Sequence, residues 1–483
     1  MTLSFNSEMV FIGGKWRLGE TGQLIDLINP STGKVLKKIA RGTPKDIDEA
    51  VKAAQSALDS EWGSMSALER GRVLMEMSRI TLNHVDELAD LETNDVGKPF
   101  SQARADAVAM ARYFEFYAGA CDKVHGETIP FQNGFTVFTM REPHGVTGHI
   151  VPWNYPMQII GRSVGGALAM GNAAVLKPAE EACLTALAIG EIAQKAGLPD
   201  GALNIVPGIG NEAGAALSAH TGVHHVSFTG STAVGKLIQK SAGDHVVPVT
   251  LELGGKSPQI IFDDADLEDA LPFLVNAGIQ NAGQTCSASS RILVQRGIYQ
   301  DVLDGMAERY RALKVGQAKD DFNLGPLISM RQKQIVDDYL EVAKSDGLEM
   351  IAQGFFADNL PQGGAYVLPT LFGNVPADHR LAQEEIFGPV QVVIPFEDEQ
   401  EALQIANGTN FGLVAGVWTK DGSRQMRMAK SLHVGQVFIN NYGAGGGVEL
   451  PFGGVKGSGH GREKGFEALY SFSTTKTVAI KHG

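Results

Sequence analysis

Three residue types that together make thiol chemistry possible are spread along this chain. Cys286 stands among small polar neighbours in NAGQTCSASSR (281–291), just after Gly283. Asn154 lies between two prolines in VPWNYP (151–156), a rigid, extended stretch. Glu252 ends an apolar run ahead of a glycine pair in LELGGKSP (251–258). A nucleophilic thiol needs a donor for the oxyanion it creates and a positioned base, and an amide and a carboxylate are suitable groups. Each residue also has a plainer reading. Asn between prolines is ordinary turn chemistry, Glu before Gly-Gly is a plain turn, and an intracellular Cys is usually a small apolar filler. Cys121 and Cys183 keep that last reading.

A second group of stretches suits phosphate and sugar. In FTGSTAVGK (228–236), a strand, Gly230 and Ser231 lead into a helix whose free N–H groups and positive dipole end fit a diphosphate. The alternative is a serine-capped helix start. VPGIGNEAG (206–214) is a loose GxGxxxG whose glycines also serve positive-φ turns. In AVLKPAE (174–180), Lys177 and Glu180 follow a strand where a nucleotide ribose would lie, or are a solvated pair.

The elements that position these residues are legible in the periodicity. Apolar residues at helical spacing follow Thr43 and Pro44, and Ser66 with Glu69 makes a capping-box pattern. A third helix is expected over 94–117. From Asn172 onward, AAVLK, LNIV, HHVSFTG and VTLELGG alternate with helix-length segments, which is βαβ rhythm and implies parallel sheets. PQIIF, RILVQ, VQVVIPF and QVFIN supply a second set. The expected fold class is α/β: two doubly wound lobes and a cleft between them, with ligands at the carboxyl ends of strands. Two segments fit neither lobe, Phe135 to Val146, which alternates like a hairpin, and the C-terminal KTVAIKHG, which alternates like an edge strand. An exposed edge is a liability unless another chain covers it.

Composition narrows the partners. The 483 residues, 43% hydrophobic and 20% charged, suit a folded chain with large cores. A net charge of −13 opposes nucleic acid and anionic lipid. Three scattered cysteines make neither a disulfide framework nor a CxxC metal site, so no metal is expected. The N-terminus has no signal pattern, and no apolar run approaches the ~20 residues that span a bilayer. A cytoplasmic protein without membrane segments is expected.

Taken together, PWNYP, KPAE, FTGSTAVGK, LELGGKSP, GQTC, EEIFGP (384–389) and PFGGVKGSGHGRE (451–463) resemble the NAD(P)-dependent aldehyde dehydrogenase superfamily over essentially the whole chain. The resemblance implies that Cys286 attacks an aldehyde, that the Asn154 amide and the Cys286 N–H hold the oxyanion, and that Glu252 activates water to hydrolyse a thioester. It implies a cofactor site at Trp153, Lys177, Glu180, Gly210, Phe228, Gly230, Ser231, Val234, Leu253, Glu385 and Phe387. NAD is expected over NADP, because the Glu180 carboxylate accepts ribose hydroxyls and repels a 2′-phosphate. The implied parts are a dinucleotide-binding domain (1–121 and 144–254), a catalytic domain (255–460) and a small β oligomerisation element (122–143 and 461–483) that builds homodimers or homotetramers.

For the substrate, Tyr155, Thr285, Ser287, Tyr442 and Phe452 are expected in the pocket, and the GAGGG run after Tyr442 (443–447) adds little bulk at its mouth. This favours medium-chain aliphatic or aromatic aldehydes. Arg162 matches an arginine that binds the substrate carboxylate in succinic semialdehyde dehydrogenases, but Gln280 replaces the second arginine of that group. Glu463 occupies a position proposed in relatives as part of a proton path; an exposed Glu before Lys464 is the other reading. A non-catalytic member of the family would be expected to lose the thiol, amide or base.

Overall fold

The computed structural model describes residues 2–443 and 447–482, so Ala444, Gly445 and Gly446 of the glycine run lie outside the described residues. Local sequence signals set the first helices. Thr43 caps helix Pro44–Leu58, with its side chain taking the Asp46 N–H and Asp46 returning to the Thr43 N–H at 2.9 Å. Ser66 and Glu69 close the same reciprocal box on helix Ala67–Asn83. The expected helix over 94–117 is instead broken: one helix ends at Asp95, Gly97 turns with φ +83°, and the next runs Phe100–Ala120 after Pro99. A left-handed glycine followed by a proline cannot continue the helix.

Eight strands form the first sheet, in the order Lys15–Arg17, Val10–Ile12, Leu203–Ile205, Ala173–Pro178, Val146–Val151, His225–Thr229, Val249–Glu252 and Gly459–His460. Its central five are parallel and wholly or almost wholly buried, which is why they read as continuous apolar runs. The second sheet has seven strands, in the order Glu349–Gln353, Thr370–Gly373, Val390–Phe396, Arg291–Gln295, Pro258–Ile261, Val414–Trp418 and Gln436–Ile439; only the first pairs antiparallel. Each sheet has its own apolar core, and a third small cluster, Ala277, Leu413, Val414, Tyr442 and Phe452, packs beside Cys286.

The segment expected to alternate as a hairpin is one long strand, Phe135–Pro143, that joins Thr128–Ile129 on one side and the C-terminal strand Ser473–Lys481 on the other. Val146 instead begins a strand of the first sheet. The three-stranded sheet exposes Ile129, Met140 and Ile480. No helix among the described residues is long and apolar enough to cross a membrane.

Candidate active site

Helix Leu267–Ile279 delivers the chain to a tight turn in which Asn281, Ala282 and Gly283 have φ of +48°, +53° and +76°. Two of these are not glycine, and such strain persists only where neighbours hold it. Here the Asn281 side-chain amide donates to the Asn154 carbonyl at 3.0 Å, its backbone N–H donates to Gln102 Oε1 at 3.0 Å, and the Asn154 side-chain amide donates to the Gln284 carbonyl at 2.9 Å. At Gly283 a Cβ would lie 2.2 Å from the Gly388 carbonyl oxygen, so only glycine allows this approach. The turn therefore presents Cys286 and Asn154 to one cavity of about 410 Å³.

Tyr155, Arg162, Thr285, Ser287, Tyr442 and Phe452, singled out in the sequence, line that cavity together with Phe273, Asp106, Gln158 and Lys464, which were not. The Tyr155 hydroxyl and Thr285 Oγ1 are 2.9 Å apart, and the Tyr442 hydroxyl donates to the Ser287 carbonyl at 2.6 Å. Beneath Tyr155, Lys98 Nζ lies 3.9 Å from the ring centroid and is held by the buried Glu92 and Asp106 carboxylates. Burial pushes the Cys286 thiol up to about 11, against the pull of the Arg162 charge.

Glu252 is buried at the end of its strand, against Gly453, where a Cβ would come 2.8 Å from Oε1. It is not part of the cavity lining, and neither carboxyl oxygen has a hydrogen-bond partner among the described residues. An unpaired buried carboxylate costs several kcal/mol, roughly, so burial here shifts the balance toward the neutral acid. Accordingly, burial raises this carboxyl well above its ordinary range, and the Arg162 charge only partly offsets that.

The exposed reading of Glu463 is overturned. The residue is fully buried, its Oε2 paired with the Arg162 guanidinium and its Oε1 accepting from Ser227 Oγ at 2.6 Å. Arg162 also reaches Thr229 Oγ1 at 3.3 Å and stacks 4.9 Å from the Phe452 ring centroid. A buried charge needs a partner, and this pair supplies one to both.

The phosphate- and sugar-suited residues gather at the carboxyl ends of the first sheet. Lys177 Nζ contacts Glu180 Oε2 at 2.9 Å, and the Gly210 N–H donates to Glu180 Oε1 at 3.3 Å. Burial raises the Glu180 carboxyl, but the Lys177 charge and these donors outweigh it and hold the group below its ordinary value. A Cβ on Gly230 would meet the Phe228 ring at 2.5 Å, and one on Gly235 would meet Leu253 at 2.5 Å. Ser231 caps helix Thr232–Gly243 by accepting from the Val234 N–H at 3.3 Å, and the Val234 side chain is exposed. Glu385 Oε1 accepts from the Gly255 N–H at 2.9 Å; burial pushes this carboxyl up to about 7 against the pull of that N–H and of Lys256. Phe387, with φ +56°, meets the Trp153 ring edge-on at 5.4 Å.

Two parallel α/β sheets, one rich in anion- and ribose-compatible groups and one carrying a thiol beside an amide, define a two-lobed α/β enzyme. The sequence profile of the aldehyde dehydrogenase family matches residues 16–478, and the chain belongs to that family. It is 41% identical to human retinal dehydrogenase 2 over 477 residues, covering 98% of this chain and 91% of that one. A solved structure of a candidate aldehyde dehydrogenase from Burkholderia cenocepacia superposes with a TM-score of 0.98 at 60% identity, covering 98% of this chain and 100% of the other. The NAD+ complex of an aldehyde dehydrogenase from Bacillus cereus gives a TM-score of 0.95 at 40% identity, covering 98% and 96%.

Proposed function

We propose that this enzyme oxidises an aldehyde to a carboxylic acid with NAD, through a thioester on Cys286. The observation that carries the reading is the convergence of the Cys286 thiol and the Asn154 amide on one cavity, with the unpartnered Glu252 carboxyl at the neighbouring strand end. The thiol gives its proton to solvent as its sulfur bonds to the carbonyl carbon, and the C=O π pair moves onto oxygen, giving the oxyanion of a thiohemiacetal. The Asn154 amide and the Cys286 N–H stabilise the oxygen as it gains charge. When bound, NAD would supply the hydride acceptor needed to oxidise the thiohemiacetal carbon to the thioester level. Glu252, ionised for this step, takes a proton from water as the water attacks the thioester carbon; the C–S bond breaks, the acid leaves and the thiol is restored.

The residues present fit the cofactor. Glu180 offers an ionised carboxylate for two ribose hydroxyls, and the bare Gly230 and the helix start at Ser231 leave room and N–H groups for a diphosphate. Glu385, with Trp153 and Phe387 nearby, would take the nicotinamide ribose, and Leu253 and Val234 would supply apolar contacts. The charge on Glu180 disfavours a 2′-phosphate, so the cofactor is NAD rather than NADP.

Aromatic and apolar walls, Tyr155, Ile159, Phe273, Ala277 and Phe452, favour an aldehyde with an aromatic or medium-chain aliphatic body. The Arg162 charge is already engaged by Glu463, which weakens a semialdehyde reading based on that arginine alone. The uncovered Ser473–Lys481 edge and its apolar neighbours support a homodimer or homotetramer built on the small sheet, readable by light scattering. The central test follows reduced nicotinamide with octanal and benzaldehyde: the wild-type protein turns over, and Cys286→Ala does not. Undiminished turnover by Cys286→Ala would overturn the mechanism.

A further inference from the structure

Tyr442 stands in the wall of the Cys286 cavity, but its hydroxyl is not offered to the cavity. It donates to the Ser287 carbonyl at 2.6 Å, one residue past the thiol. Burial raises this phenol above its ordinary range, so it stays a donor well beyond neutral pH. The residue singled out in the sequence as a substrate contact therefore spends its polar atom on the backbone that follows the nucleophile.

The second sheet delivers that hydroxyl. Strand Gln436–Ile439 ends at Asn440, whose φ of +53° turns the chain out of the sheet, a conformation that asparagine tolerates better than most residues. Its side chain is clamped to the end of the neighbouring strand: Asn440 Nδ2 donates to the Thr419 carbonyl at 3.1 Å, and Asn440 Oδ1 accepts from the Thr419 N–H at 3.0 Å. The buried Tyr442 ring then lies against Gly416 of strand Val414–Trp418, where a Cβ would come 2.9 Å from its Cδ2, and 6.0 Å from Phe438 between centroids.

The segment that carries the sulfur is held from several sides. The Ala288 N–H returns to the Thr285 carbonyl at 2.9 Å, which closes a turn around Cys286. Upstream, the Asn154 amide holds the Gln284 carbonyl. Beside the nucleophile the chain passes Gly255, where a Cβ would meet the Cys286 carbonyl oxygen at 2.4 Å. Downstream, the Tyr442 hydroxyl fixes the Ser287 carbonyl. We propose that Tyr442 is a positioning residue for the nucleophile: its hydroxyl holds this turn so that the Cys286 thiol and N–H face the carbonyl group under attack. This rests on the thioester reading and gives the Tyr442 hydroxyl a task in the oxyanion geometry, apart from any contact between its ring and the aldehyde.

The test is Tyr442→Phe, which removes the hydroxyl and keeps a ring against Gly416. Three reactions are compared with the wild-type enzyme. The first is formation of reduced nicotinamide from benzaldehyde. The second is acyl transfer from 4-nitrophenyl acetate without NAD: the sulfur bonds to the acetyl carbon, the ester C–O bond breaks, 4-nitrophenolate leaves and the thiol proton passes to solvent. The third is alkylation of Cys286 by iodoacetamide, a displacement that creates no oxyanion. In Tyr442→Phe, kcat and the rate constant of the acylation burst fall about tenfold or more, while alkylation changes by less than about threefold. The Kd for NAD, read from quenching of protein fluorescence, stays within about twofold, since the cofactor groove keeps its groups. Acylation at the wild-type rate would overturn the proposal. So would an equal loss of acylation and alkylation, which reports a general loosening of the turn. If the wild-type enzyme oxidises no aldehyde, the functional reading falls, and the comparison of acylation with alkylation still decides the role of Tyr442. A wild-type enzyme whose Cys286 is not acylated at all would overturn both.

Discussion

Asn281 and Asn154 are locked to each other's neighbourhoods: the Asn281 amide holds the Asn154 backbone at 3.0 Å, and the Asn154 amide holds the Gln284 backbone at 2.9 Å, two residues before the thiol. The group that would stabilise the oxyanion and the nucleophile it serves are thus set by one another. Asn281→Ala should therefore lower kcat by roughly ten- to a hundredfold, the scale of loss when reacting groups shift by about an ångström, with little change in KM for NAD. Steady-state kinetics with a saturating aldehyde would read this; an unchanged kcat would mean the clamp is dispensable.

Glu252 titrates above the ordinary carboxylate range because it is buried. Its role as base requires the ionised form, so turnover should rise with pH through that raised ionisation and fall as the pH drops through it. In Glu252→Gln that dependence should vanish, and a single burst of reduced nicotinamide should precede a steady state at least a hundredfold slower. Rapid-mixing measurements distinguish a lost burst, which would place Glu252 before the thioester, from the expected slow decay.

The thiol at about 11 is protonated at neutral pH. Alkylation of Cys286 by iodoacetamide in the free enzyme should then accelerate nearly tenfold per pH unit between pH 7 and 9. Peptide mapping should find Cys121 and Cys183 untouched under the same native conditions, since both are buried. A plateau below pH 8 would show that the thiolate is more stable than its surroundings imply.

Cofactor choice should turn on Glu180. Replacing it with Ala removes the carboxylate that Lys177 and the Gly210 N–H now hold, freeing a cation where a 2′-phosphate would lie. The ratio of kcat/KM for NADP over NAD should rise at least tenfold, by loss with NAD and gain with NADP.

Arg162→Met should be strongly destabilising, by roughly 3–5 kcal/mol, because it strands a buried Glu463 carboxylate. Glu463→Gln in the same chain should recover much of that loss in chemical denaturation. Simple additivity of the two changes would mean that the pair is not coupled.

Local signals were readable from the chain alone. The capping boxes at Thr43 and Ser66 involve residues three apart, and the strands that end at Pro178 and Glu252 announce themselves as short apolar runs bounded by Gly or Pro. The left-handed turn at Gly97 escaped because a glycine inside a helical pattern is ambiguous until φ is known. Glu463 and Lys464 escaped for another reason. Their burial depends on Arg162, Ser227 and Phe452, which pattern reading along one segment cannot bring together. Asn281 stood in plain view five positions before Cys286, but its positive φ and its bond to Asn154 exist only in the folded turn.

The bare contact of Gly283 with Gly388 leaves no slack between the strip of chain that bears the nucleophile and the strip that bears Glu385 and Phe387. The two strips are mechanically fused at that point, like facing leaves pinned by one rivet. A shift of the Glu385 strip at that point would have to be absorbed by the turn that leads to the sulfur, so occupancy of the proposed cofactor groove is expected to bear on the aim of the nucleophile.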